Sequence, residues 1–85
     1  MPLLTDHAKV QLKNRKITDD EVNIVLSGPR ETVPTRANRL ASFAFVHGKY
    51  IVVIHERGKD NKDDVIITAM RVNPRRLVRF GFTRI

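Results

Sequence analysis

The hydrophobic period of the chain changes once, at Ser27-Gly28-Pro29, and this change limits the possible folds more than any other feature. Before it, Val22, Val25 and Leu26 recur at the i, i+3, i+4 spacing of a helix face. After it, from Arg30 onward, apolar residues follow the two-residue alternation or the continuous β-branched runs of strands. Helices segregated in sequence from hairpin-linked strands predict an α+β domain, with two N-terminal helices packed on a three- to five-stranded antiparallel sheet.

The helical half carries its own punctuation. Thr5 or Asp6 can cap a first helix that runs to about Arg15. Thr18-Asp19-Asp20-Glu21 has capping-box spacing and opens a second helix, which Ser27-Gly28-Pro29 stops. In the other half, Thr32 and Val33 read as a short edge strand ended by Pro34. Leu40 to Val46 and Tyr50 to Arg57 form a hairpin about His47-Gly48-Lys49, with Phe43 and Phe45 on one face of its first strand. The stretch 58–64 is an exposed loop of turn formers, and Val65 to Val72 is the next strand. The central strands are apolar on both faces, so the second face needs cover from the C-terminal segment or from another subunit. Asn73-Pro74 can cap a helix ending at Gly81, while Val78, Phe80 and Phe82 also alternate as a strand would; the sequence leaves both open.

At 85 residues the chain supports one domain with a thin core. We divide it into an α+β domain at 1–72 and a basic C-terminal segment at 73–85. Four of the sixteen basic residues, Arg75, Arg76, Arg79 and Arg84, fall in that segment, which holds no acid. The net charge of +7 favours polyanionic partners. The absence of cysteine excludes disulfides and thiolate metal sites. No signal peptide or membrane-spanning apolar run is visible, and a cytoplasmic protein without a membrane partner is the expectation.

The polar residues of the first helix carry the chemistry. At about 100° per residue, Leu4, Ala8 and Leu12 define its inward stripe and Lys9, Lys13 and Lys16 point away. Arg15 falls within the inward range, with His7 and Gln11 at its edge. In the ordinary reading Arg15 pairs with a carboxylate or caps carbonyls and His7 bonds locally. In the functional reading the pair lines an anion pocket, Arg15 offering a fork to phosphate and His7 a proton donor or acceptor. On the strands, His55 and Arg57 share a face with Ile51 and Val53, and Thr68 and Arg71 fall on opposite faces of one strand. For His55 a place at the strand rim is the simpler reading, and Arg57 beside Gly58 can simply be solvated. His7, His47 and His55 show no metal-ligand spacing, and no metal or other cofactor is expected.

Thr5-Asp6-His7-Ala8, then Leu12, Arg15, Ile17-Thr18, Glu21-Val22, Val25-Leu26, Pro29 and a final Ile66-Ile67-Thr68-Ala69-Met70 resemble the domain of unknown function 4258 family. The resemblance covers roughly residues 4 to 72, and that family is similar in proposed fold to RelE-like and barnase-like endoribonucleases. It implies a RelE-like toxin that cuts RNA without metal by attack of the 2′-hydroxyl on the adjacent phosphate. Its implied catalytic residues are His7, Arg15, His55, Arg57 and Thr68, with Arg71, Arg75, Arg76, Arg79 and Arg84 binding RNA. Implied partners are RNA, free or on the ribosome, and an acidic antitoxin protein; apart from the resemblance, a structural protein whose tail joins copies of the chain through Val78, Phe80 and Phe82, as in a homodimer, is a further reading. Two positions depart from the family pattern: Gln11 stands where members often have Arg, and Met70 where an aromatic is common. A different class also fits, a non-catalytic nucleic-acid-binding or protein-interaction module of the same fold.

Overall fold

The computed structural model describes residues 3–36, 39–56 and 65–84. Its order is β1 (Leu3–Leu4), α1 (Asp6–Arg15), α2 (Asp19–Ser27), β2 (Glu31–Pro34), β3 (Leu40–Val46), β4 (Lys49–Glu56), β5 (Val65–Val72) and α3 (Pro74–Phe80). The fold is α+β, with two helices preceding a four-stranded antiparallel sheet, as the change of period predicts. The two-residue β1 adds to the outer side of β5 in parallel, giving the order β1-β5-β4-β3-β2.

The helix boundaries follow from their caps. Thr5 Oγ1 accepts from the Ala8 amide at 3.1 Å and starts α1. The helix ends on Lys16 in the left-handed conformation, φ 56°, and the Ile17 amide closes onto the Leu12 carbonyl at 2.9 Å. Both halves of the capping box form at α2: the Glu21 amide donates to Thr18 Oγ1 at 3.2 Å and the Thr18 amide to the Glu21 carboxylate at 3.0 Å. Those bonds to the carboxylate, the backbone one foremost, hold the Glu21 carboxyl below the usual glutamate range against the opposing effect of burial.

His47 and Gly48 both have positive φ, 51° and 80°, which gives the β3–β4 hairpin a tight two-residue turn with Val46 opposite Lys49. Between β4 and β5 the register slips at Ile54/His55, so that Ile54 faces Thr68 while His55 faces Ile66. Ile66 and Ala69 both point into the helix-side core, with two residues between them where alternation allows one. A bulge at Ile67-Thr68 is the result.

The sheet is covered on both faces. Ala8, Leu12, Ile17, Val22 and Val25 pack on Ala44, Val46, Ile51, Val53, Ile66 and Ala69. On the opposite face Ala41, Phe43 and Val52 pack on Leu77 and Phe82, with the Phe43 and Phe82 rings 4.4 Å apart. The C-terminal segment is therefore a helix, started by Asn73, whose side chain accepts from the Arg76 amide at 3.0 Å. Leu77 and Phe82 supply the cover that the doubly apolar strands require. Phe45 shares Phe43's side of the strand but lies beyond this cover and is exposed. The expected loop at 58–64 falls outside the described residues. No described helix is long and apolar enough to cross a membrane.

Candidate functional site

Because β1 ends at Leu4, its pairing stops at Ile66, and the rest of β5 is the edge of the sheet. Helix α1 runs beside this edge. The Thr5 amide donates to the Ile66 carbonyl at 3.3 Å, and farther along Arg15 Nη1 donates to the Ala69 carbonyl at 2.8 Å and to Thr68 Oγ1 at 3.2 Å. The bulge carries Thr68 to where it meets α1, and its hydroxyl also donates to Gln11 Oε1. The ordinary reading of Arg15 is thus realised in part, since it caps a carbonyl. Only Nη1 is used; Nε and Nη2 make no hydrogen bond among the described residues.

An open groove of about 570 Å³ lies along this seam, walled by Thr5, His7, Gln11 and Arg15 of α1 and its cap, by Ile67, Thr68 and Met70 of β5, and by Arg39. His7, Arg15 and Thr68 are therefore together in one recess. His7 is exposed and makes no hydrogen bond or ion pair among the described residues. Among the described residues no carboxylate lines the groove, although Arg39 pairs with Glu56 at 3.2 Å, both half-exposed.

The remaining expected site residues are dispersed. His55 is 4% exposed, and its Nε2 lies 2.8 Å from Ser42 Oγ, which is in turn 2.8 Å from Thr32 Oγ1. It sits within the fold rather than at the strand rim, and it does not line the groove. Arg57 falls outside the described residues. Arg71 donates from Nη2 to the Arg15 carbonyl and lines a second recess of about 340 Å³ with Arg15, Met70 and Arg76. Thr68 and Arg71 thus both touch Arg15 but line different recesses, as their opposite placement on the strand implies.

A third recess of about 480 Å³ is lined by Asn73, Arg75, Arg76 and Arg79. Arg84 lies elsewhere, beside β2 at the far edge of the sheet. There the Glu31 carboxylate accepts from the Thr83 amide at 2.7 Å, the Thr83 hydroxyl at 3.1 Å and the Arg84 amide at 2.8 Å. These bonds, the one from the Arg84 amide foremost, draw the Glu31 carboxyl below its usual range.

Two features escape a helix-wheel reading, and both were accessible from the hairpin. Counting outward from the turn, with Val46 opposite Lys49, sets Arg39 opposite Glu56 and Ser42 diagonal to His55. Only three-dimensional packing brings Arg39 into the groove. Among the described residues no three of His, Asp and Glu come together as metal ligands.

A model of the family described as domain of unknown function (DUF4258) matches residues 4–71. The match runs from the second residue of β1 to the last but one of β5 and includes every groove residue, while α3 lies beyond it. No curated protein and no solved structure gives a match.

Proposed function

The chain belongs to the domain of unknown function 4258 family, and from that membership and the groove we propose that it is a RelE-like toxin, a metal-independent endoribonuclease acting at His7 and Arg15. One observation carries the reading. Among the described residues, an imidazole with no hydrogen-bond partner, an arginine with unused donors, a threonine hydroxyl and a second arginine converge on a recess that no carboxylate lines.

In the reaction, the ribose 2′-oxygen attacks the adjacent phosphorus and the 5′-oxygen leaves, giving a cyclic 2′,3′-phosphate and a free 5′-hydroxyl. His7 accepts the 2′-hydroxyl proton, and the imidazolium so formed can return a proton to the departing oxygen. Arg15, already fixed through Nη1, presents its remaining donors to the non-bridging oxygens as charge builds on the phosphorane. Thr68 and Gln11 hold each other and steady Arg15. Arg39 supplies from the sheet the cation that Gln11 does not supply from the helix. His55, buried on Ser42, is left a structural role in this scheme. RNA is selected over DNA because only RNA carries the internal nucleophile.

Purified protein incubated with RNA and a chelator tests this. Wild type should yield cyclic-phosphate ends, and His7→Ala and Arg15→Ala should each lower the rate by about 10²-fold or more. The second reading, a non-catalytic nucleic-acid-binding or interaction module, draws on the engagement of Arg15 and Thr68 with each other and with the β5 edge. Salt-dependent RNA binding with no cyclic-phosphate product would favour it. A toxin of this charge calls for an acidic antitoxin partner. Induced expression that arrests growth, relieved by an acidic protein encoded beside it, is the result expected.

A further inference from the structure

The groove does not end at Arg15. Arg15 and Met70 wall both the His7 groove and the next recess, and Arg76 walls both that recess and the one on α3. Three concavities are therefore joined end to end through shared side chains. Arg39, Arg15, Arg71, Arg76, Arg75 and Arg79 lie along them, and among the described residues no carboxylate lines any of the three. Arg71 is fixed in this row by its bond to the Arg15 carbonyl. The apolar walls are Ile67 and Met70, in the half of the row nearer His7.

We propose that this row is a continuous binding path for single-stranded RNA, leading one unpaired strand from α3 into the His7 groove. Arginine forks match the paired oxygens of phosphates, as they do those of carboxylates, so the row selects a polyanion and the bases must select among polyanions. Met70 and Ile67 give an unstacked base an apolar surface, which a polyanion without bases would not use. A duplex keeps its base faces stacked within the helix, so it offers Ile67 and Met70 no base surface to hold. It also holds the 2′-hydroxyl away from the line of attack that cleavage needs. The choice of RNA rests on the cleavage reading above, whereas the path itself rests on the arginines.

The test is fluorescence anisotropy with a labelled oligouridylate and chelator present. All proteins carry His7→Ala so that the probe survives. One variant adds Arg75→Ala, Arg76→Ala and Arg79→Ala; a charge-matched variant adds Lys9→Ala, Lys13→Ala and Arg30→Ala, exposed residues away from the path. None of the three substituted arginine side chains makes a hydrogen bond among the described residues, so the fold should survive, and thermal unfolding checks it.

The path variant should bind about tenfold or more weakly, and the slope of log affinity against log salt should fall by about 2, from roughly 0.7 per lost phosphate contact. The charge-matched variant should change far less. Equal losses in the two variants would reduce the path to net charge and overturn it. Binding of a duplex as tight as the single strand, or of a poly-glutamate of equal charge, would overturn it as well. If the wild type binds through the path and cuts nothing, the cleavage reading fails and the path stands. If the wild type cuts RNA while the path variant binds as the background protein does, the path fails and cleavage stands.

Discussion

Ser42 links two layers of polar contact that the surrounding apolar residues make expensive to break. Its hydroxyl lies 2.8 Å from both Thr32 Oγ1 and His55 Nε2, and it is 1% exposed. Ser42→Ala removes the buried hydroxyl that bonds both His55 Nε2 and Thr32 Oγ1 and should cost about 1–3 kcal/mol, read as a lower midpoint in chemical denaturation. Any chemistry of the groove should be unchanged per folded molecule, since neither Ser42 nor His55 lines it. At this scale the sequence was informative where one element decided the outcome. The helical angle alone put His7, Gln11 and Arg15 along one side of α1, and the groove uses all three. The same reasoning failed for His55, because a strand's alternation gives a face but not the neighbours across it. Strand register, which set Ser42 beside His55 and Arg39 beside Glu56, was the missing quantity.

At the scale of elements, the caps were legible and the bulge was not. Thr5, Thr18, Asn73 and Gly81 each end or begin a helix through bonds between near neighbours, so the local sequence suffices to find them. The bulge at Ile67-Thr68 depends on how β5 meets β4 and α1, and the run Val65-Ile66-Ile67 contains nothing to announce it. The choice between helix and strand for 73–85 turned on Leu77 and Phe82 reaching a second core, another long-range fact. One cap offers a direct test. Lys16 ends α1 at φ 56°, a conformation that costs a residue with a β-carbon and suits glycine. Lys16→Gly should stabilise the fold by about 0.5–1 kcal/mol after allowing for the entropy glycine adds to the unfolded chain. Thermal unfolding would show a higher midpoint.

For the whole molecule, two carboxylates among the described residues, Glu21 and Glu31, tie its response to acid to its fold. Glu21 joins the start of α2 to the turn before it, with its carboxylate 3.5 Å from His47, and Glu31 clasps the chain after α3 to the β2 edge. Both have folded-state pKa values below the usual glutamate range. Each therefore contributes stability that is fully present above about pH 4.3 and is lost as pH falls through the lowered folded value. Glu21→Gln, which can keep the cap bond, should flatten the acid limb of a stability profile followed by circular dichroism, and combining it with Glu31→Gln should flatten it further.

The overall plan, helices first and then a meander of strands, was readable because the change of period spans the whole chain. The arginine row was not, because its members come from α1, from the residue before β3, from β5 and from α3, and only the closed fold lines them up. That row also has a protective side. Beyond Ile66 the rim of β5 has no strand partner among the described residues, and Arg15 occupies the Ala69 carbonyl there. An open rim of this kind invites pairing with a neighbouring chain, and charge laid along it is a common deterrent. Arg15, bonded to that carbonyl, is thus placed to keep the rim from templating a neighbouring strand, a reason for a cation at this position that depends on no ligand.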